Sequence, residues 1–164
     1  MTRPRRRGHP AHRFRLSRSR QWMVYGVGGS LWASGALWLV AHFFWRAEGE
    51  MGMIVHPAEP WSLRVHGAAV LLMALAVGVL WPVHIQPAWR SRVNRGSGLV
   101  MGLSLLFLTV TGYLLYYGSG DALREWVVLW HWVVGLAVPV LVGLHVVLGR
   151  RTRVVPPMAA SDKP

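Results

Sequence analysis

Four long apolar runs, separated by short polar breaks, organise this sequence. They cover Gln21–Trp45, Trp61–Ile85, Gly96–Tyr117 and a last stretch from near Ala122 to about Gly149. As a helix rising ~1.5 Å per residue, each run is long enough to cross a hydrocarbon layer about 30 Å thick. Backbone polar groups in hydrocarbon must be satisfied internally, so each run predicts a helix. The pattern therefore predicts an all-α membrane protein, a four-transmembrane-helix up-down bundle over residues 21–151 with spans at about 21–45, 61–85, 96–117 and 122–149. Pro139, near the middle of the last run, predicts a bend there.

The breaks differ in charge. Arg46–Pro60 reads as a loop with Glu48, Glu50, Glu59 and His56, and Ser119–Glu125 as a short loop with Asp121, Arg124 and Glu125. Gln86–Arg95 reads as a basic loop with Arg90, Arg92 and Arg95. Residues 1–20 hold eight arginines and no acid, and read as a basic disordered tail. The run that follows is too long for a signal-peptide core and ends in no small-residue cleavage site. Residues 152–164 read as a second disordered tail. The two tails, Arg150 and Arg151 at the end of the last run, and the Gln86–Arg95 loop hold all but three of the 18 Lys and Arg residues, the exceptions being Arg46, Arg64 and Arg124. Five of the six acids fall on the opposite side. Basic residues mark the cytoplasmic side, so both termini are expected there, in a multi-pass protein of the bacterial inner membrane.

Composition agrees with the pattern. The chain is 53% hydrophobic with ten Trp, and its mean hydropathy is +0.34. A net charge of +12 would suggest nucleic acid in a soluble protein. Here the charge sits in flanks of apolar runs, which points to topology and anionic lipid instead. With no cysteine, disulfides, iron–sulfur clusters and covalently attached haem are excluded.

Histidines carry the candidate chemistry. His131 and His145 lie on the last run, about 21 Å apart along a helix and within roughly 40° of the same face. His66 and His84 lie on the second run, five full turns and about 27 Å apart in an unbent helix. A tilt difference or a distortion at Pro82 is needed to match the two spacings. With alternating spans, His66 and His131 share the outer side, and His84 and His145 the cytoplasmic side. Two helices with two imidazoles each at matched depths form the ligand set of two stacked, non-covalent b haems with bis-histidine iron. Ionisable groups in a membrane span are costly, which makes them functional candidates. His42, near the outer end of the first run, is the rival outer ligand, or else an interfacial or proton-handling group. His56, His9 and His12 read as solvent-exposed. Arg64, Arg124, Arg150 and Arg151 could pair with haem propionates or simply anchor the helices.

The second half, about residues 61–151, resembles the four-helix cytochrome b561 and formate-dehydrogenase-type cytochrome b group of bacteria. The resemblance rests on His131-x13-His145, on RVNRGSGLVMGLSLLFLTVTGYLLYYG and on LREWVVLWHWVVGL. It implies two b haems and electron exchange with quinone, often beside a redox partner subunit. In that group the partner ligands come from the first two spans. Here the first span offers no cytoplasmic-end histidine apart from His12 in the tail, so His84 is assigned to the inner haem by depth.

The expected function is electron transfer, as a subunit rather than a stand-alone enzyme, since no flavin or nucleotide fingerprint is present. A homodimer and a quinone site near His42, Tyr116–Tyr117 or Arg90–Arg95 stay open, and nucleic acid is not an expected partner. A histidine-dependent transporter or metal-handling protein is the alternative. It is weakened because zinc and copper sites gather their ligands within a few ångströms. A non-catalytic membrane scaffold is the third reading.

Overall fold

The computed structural model describes residues 16–50, 52–92, 94–118 and 120–151. The expected tails, with His9, His12 and Arg153, fall largely outside these residues. In chain order the elements are α1 (Arg18–Phe44), β1 (Ala47–Gly49), β2 (Gly52–Ile54), α2 (Ala58–Leu80), a π-helical turn (Trp81–Ile85), α3 (Gln86–Arg90), α4 (Arg95–Tyr117) and α5 (Asp121–Arg151). Four helical stretches are long and apolar enough to cross a membrane, with α2, the π turn and α3 forming one of them, Ala58–Arg90.

Two breaks are more ordered than their composition predicts. Within Arg46–Pro60, β1 and β2 pair antiparallel, with Glu48 opposite Met53. α2 then starts at Ala58 and takes Glu59 and Pro60 into its first turn. A first-turn N–H has no intrahelical partner, so proline is tolerated there, and an acid suits the positive helix end. His56, read as exposed, is half-buried and accepts the Ala58 N–H at its Nδ1, 3.2 Å away. The basic stretch after Ile85 is likewise helical as far as Arg90. α5 continues as one helix through Pro139.

The helices pack as two hairpins. α1 lies along α2, and α4 along α5, while contact between the hairpins is sparse and falls mainly between α1 and α5. Within the first hairpin the buried small residues recur every seven positions: Ser34 and Ala41 on α1; Ser62, Ala69 and Ala76 on α2. Small residues at heptad spacing let two helix backbones approach closely, which is how helices associate where no water drives them together. Large apolar side chains such as Leu71, Leu75, Leu106 and Val140 face outward, as lipid-facing residues do. At the α4–α5 turn the Gly118 N–H closes on the Leu114 carbonyl at 2.7 Å. A Cβ on Gly118 would meet that oxygen at 2.5 Å, so the turn requires glycine.

Candidate functional site

Histidines face one another across the two hairpins. His66 of α2 faces His131 of α5 with ring centroids 6.4 Å apart and planes at 65°. His84, in the π turn, faces His145 of α5 at 6.3 Å and 83°. All four expected ligands are thus brought together in the expected pairs, and α2 and α5 must run in the same direction. All four are half-buried.

Hydroxyl groups fix three of these rings. His131 Nδ1 lies 2.8 Å from Thr111 Oγ1. That hydroxyl donates its single proton to the backbone carbonyls of Phe107 and Leu108 at 2.8 and 3.2 Å. It can therefore only accept from the imidazole, which places the ring proton on Nδ1 and leaves the lone pair on Nε2. His66 repeats the arrangement. Its Nδ1 is 3.2 Å from Ser34 Oγ, which donates to the Leu31 carbonyl at 3.0 Å. His145 Nδ1 meets Ser97 Oγ at 2.9 Å, and Ser97 donates to the Asn94 carbonyl at 3.3 Å. A Ser or Thr bonding its own backbone three or four residues back is ordinary in a helix. Here the same oxygen also sets a tautomer, and the three hydroxyls were not among the expected site residues.

Glycines give the first pair room. A Cβ on Gly35, next to Ser34, would stand 3.2 Å from His66 Cε1. A Cβ on Gly112, next to Thr111, would stand 3.5 Å from His131 Cε1.

The second pair has a backbone irregularity beside it. Pro82 has no N–H, and in a regular α-helix its ring would collide with the carbonyl four residues back, that of Gly78. The Gln86 N–H reaches five residues back, to Trp81, and Pro87 then removes a second donor. A π turn uses more residues per turn than an α turn and so covers less length. The distortion expected at Pro82 is present, and it lies where the mismatch between about 27 Å and about 21 Å has to be absorbed.

The spacing within each pair is informative about what could sit between the rings. A metal–imidazole nitrogen bond is about 2.0 Å and the nitrogen lies about 1.1 Å from its ring centre, so two imidazoles on opposite sides of one metal have centroids about 6.2 Å apart. Both observed separations match. Among the described residues, no group of three or more His, Cys, Asp or Glu side chains converges. A metal held by two trans imidazoles alone needs its other ligands from elsewhere, and a planar macrocycle supplies four. Two imidazoles at this spacing are compatible with the two protein ligands of a haem iron.

His42 is engaged elsewhere. Its Nδ1 lies 3.1 Å from Glu59 Oε2. Glu59 is only 4% exposed and accepts two bonds from Arg46, at 2.8 and 2.7 Å. The carboxylate bond raises the Arg46 pKa further. The His42 ring stacks on Trp38 at 4.5 Å. Trp132, the residue after His131, packs against both Trp38 and Phe43. Reading Glu59 as a loop acid hid this cluster. Of the arginines considered for propionates, Arg64 lies over the Trp61 ring at 4.8 Å. Arg124 donates to the Leu115 carbonyl at 3.3 Å.

No protein-family model matches the chain, and neither a curated protein nor a solved structure matches it.

Proposed function

We propose that the chain is a membrane b-type cytochrome that carries electrons across the bilayer. In this reading it is a four-helix up-down bundle of a bacterial inner membrane, with both termini cytoplasmic. His66 and His131 hold the outer of two non-covalent haems, and His84 and His145 the inner one.

The observation that carries the reading is one centroid separation, 6.4 and 6.3 Å, recurring at two levels between the same pair of helical spans. Its support is the agreement of that distance with trans-axial imidazole ligation. When bound, each haem supplies a one-electron couple. The chain does the rest. Thr111, Ser34 and Ser97 hold three imidazoles in the tautomer whose Nε2 can bind metal. Two imidazoles on each iron would leave no position open to oxygen, which would favour electron transfer. Apolar helix faces keep water away. Donor and acceptor are a quinone or a redox partner subunit, so the protein works as an electron-transfer subunit.

A reduced-minus-oxidised absorption spectrum of the purified protein, with haem quantified per chain, tests this. Two low-spin b haems per chain are expected. Colourless protein from haem-sufficient cells overturns it.

A further inference from the structure

The His42–Glu59–Arg46 cluster has the build of an oriented base. Glu59 is a carboxylate held by the two Arg46 bonds, so it accepts and does not donate. Its bond to His42 therefore takes the Nδ1 proton, which in the neutral imidazole leaves the lone pair on Nε2. A base held by a carboxylate that is itself held by a third group is the general arrangement for proton abstraction. The His42 side chain is 28% exposed, so ligand can reach it. Its surroundings are aromatic: Trp38 stacks on the ring, Phe43 meets it edge-on at 5.0 Å, and Trp132 packs beyond them. Trp132 also lines a groove of about 360 Å³ with Arg124, Glu125, Val128 and Leu129. The cluster occupies the last turn of α1 and the first of α2, about two helical turns from Gly35 and His66.

We propose that this cluster binds the headgroup of a hydroquinone arriving from the lipid, with His42 Nε2 as the proton acceptor and Glu59 and Arg46 as its positioning pair. The inference rests on the electron-transfer reading and adds to it the residue that takes the proton. An apolar-tailed aromatic diol suits an aromatic wall at the membrane edge with one polar acceptor in it. A water-soluble ligand would gain nothing from that wall. In the acid–base step, one O–H bond of the ligand breaks and its proton joins Nε2. The bonding electron pair stays on the ligand oxygen, and the Glu59 carboxylate faces the resulting imidazolium. Trp132 joins this cluster in sequence to His131 of the first histidine pair.

The bland role of the same residues is a clamp holding α1 to α2, and two variants separate the roles. His42→Asn keeps an amide N–H where Nδ1 meets Glu59 but removes the acceptor at Nε2. His42→Gln keeps an acceptor near Nε2 and gives up the Glu59 bond. Decylubiquinol is titrated into the protein in lipid nanodiscs, followed by calorimetry against empty discs, with haem per chain and the thermal melt measured alongside. The expected result is saturable binding to the wild type, at least tenfold weaker binding to His42→Asn, and unchanged haem and melt. Binding to His42→Asn as tight as to the wild type overturns the proposal and leaves the clamp, as does a wild type without saturable binding. Should His42→Asn fail to fold, His42→Gln decides: binding within threefold of wild type supports an acceptor at Nε2, and its loss overturns the proposal. A wild type that carries no haem but binds decylubiquinol through His42 fails the cytochrome reading alone.

Discussion

The two histidine pairs reach nearly one spacing by different means. His66 and His131 stand on regular α-helix, and each is held by a hydroxyl whose next residue is glycine: Ser34-Gly35 and Thr111-Gly112. His84 stands on a π turn bracketed by Pro82 and Pro87, facing a His145 held by Ser97. Glycine clearance accompanies the hydroxyls of the first pair, and a backbone irregularity accompanies the Ser97 hydroxyl of the second. A ligand pair can thus be placed either by what surrounds the rings or by the shape of the helix that carries one of them. The two solutions respond to different substitutions.

The largest expected effect removes a ligand. His131→Ala and His145→Ala should each lower haem per chain from two to about one, losing different spectral components, and the double variant should be colourless by pyridine haemochrome assay. Equal loss of both components from either single change would break the idea of two separate sites. Next is the backbone. Pro82→Ala with Pro87→Ala restores both N–H donors and favours an ordinary α-helix through His84. The second haem should be largely lost and the first kept, with the components resolved by low-temperature spectra. Thr111→Val keeps the shape and removes the acceptor for the His131 Nδ1 proton. Outer-shell changes of this kind cost about tenfold to a hundredfold in metal affinity, so haem transfer to apomyoglobin should accelerate from the first site only, and Thr111→Ser should restore retention. Ser97→Ala should mirror this at the second site. The smallest effect belongs to Gly35→Ala. Its Cβ would lie 3.2 Å from His66 Cε1, so the ring must give slightly. Both haems stay, and the first site's low-spin electron paramagnetic resonance signal shifts. Gly112→Ala, at an ordinary 3.5 Å, should leave it unchanged.

Much of this arrangement was legible in the sequence. Imidazoles inside apolar runs are conspicuous because hydrocarbon penalises them. Depth along each run then paired His66 with His131 and His84 with His145. Even the misfit of the second run pointed to Pro82, although not to a π turn, because a missing N–H can also be absorbed by a kink. The hydroxyls were not legible. Ser34, Ser97 and Thr111 look like any Ser or Thr bonded to its own helix, and only the opposing ring gives them a second role. Glu59 was misplaced because an acid followed by proline in a polar stretch reads as loop. A helix's first turn accepts both, and Arg46, thirteen residues earlier, supplies the charge that lets the carboxylate be buried.

In each hairpin a hydroxyl–glycine step on the first helix, Ser34-Gly35 or Thr111-Gly112, meets the first histidine of the second helix. Two hairpins that share this layout, with α2 and α5 running the same way, would suit an approximate two-fold axis along the helices. A chain of half this length, paired with a copy of itself about such an axis, would present one imidazole from each copy at both levels. Duplication and fusion of a two-helix ancestor would yield this architecture. The copies would then be free to diverge, one gaining the proline-bracketed π turn and the other keeping a continuous helix.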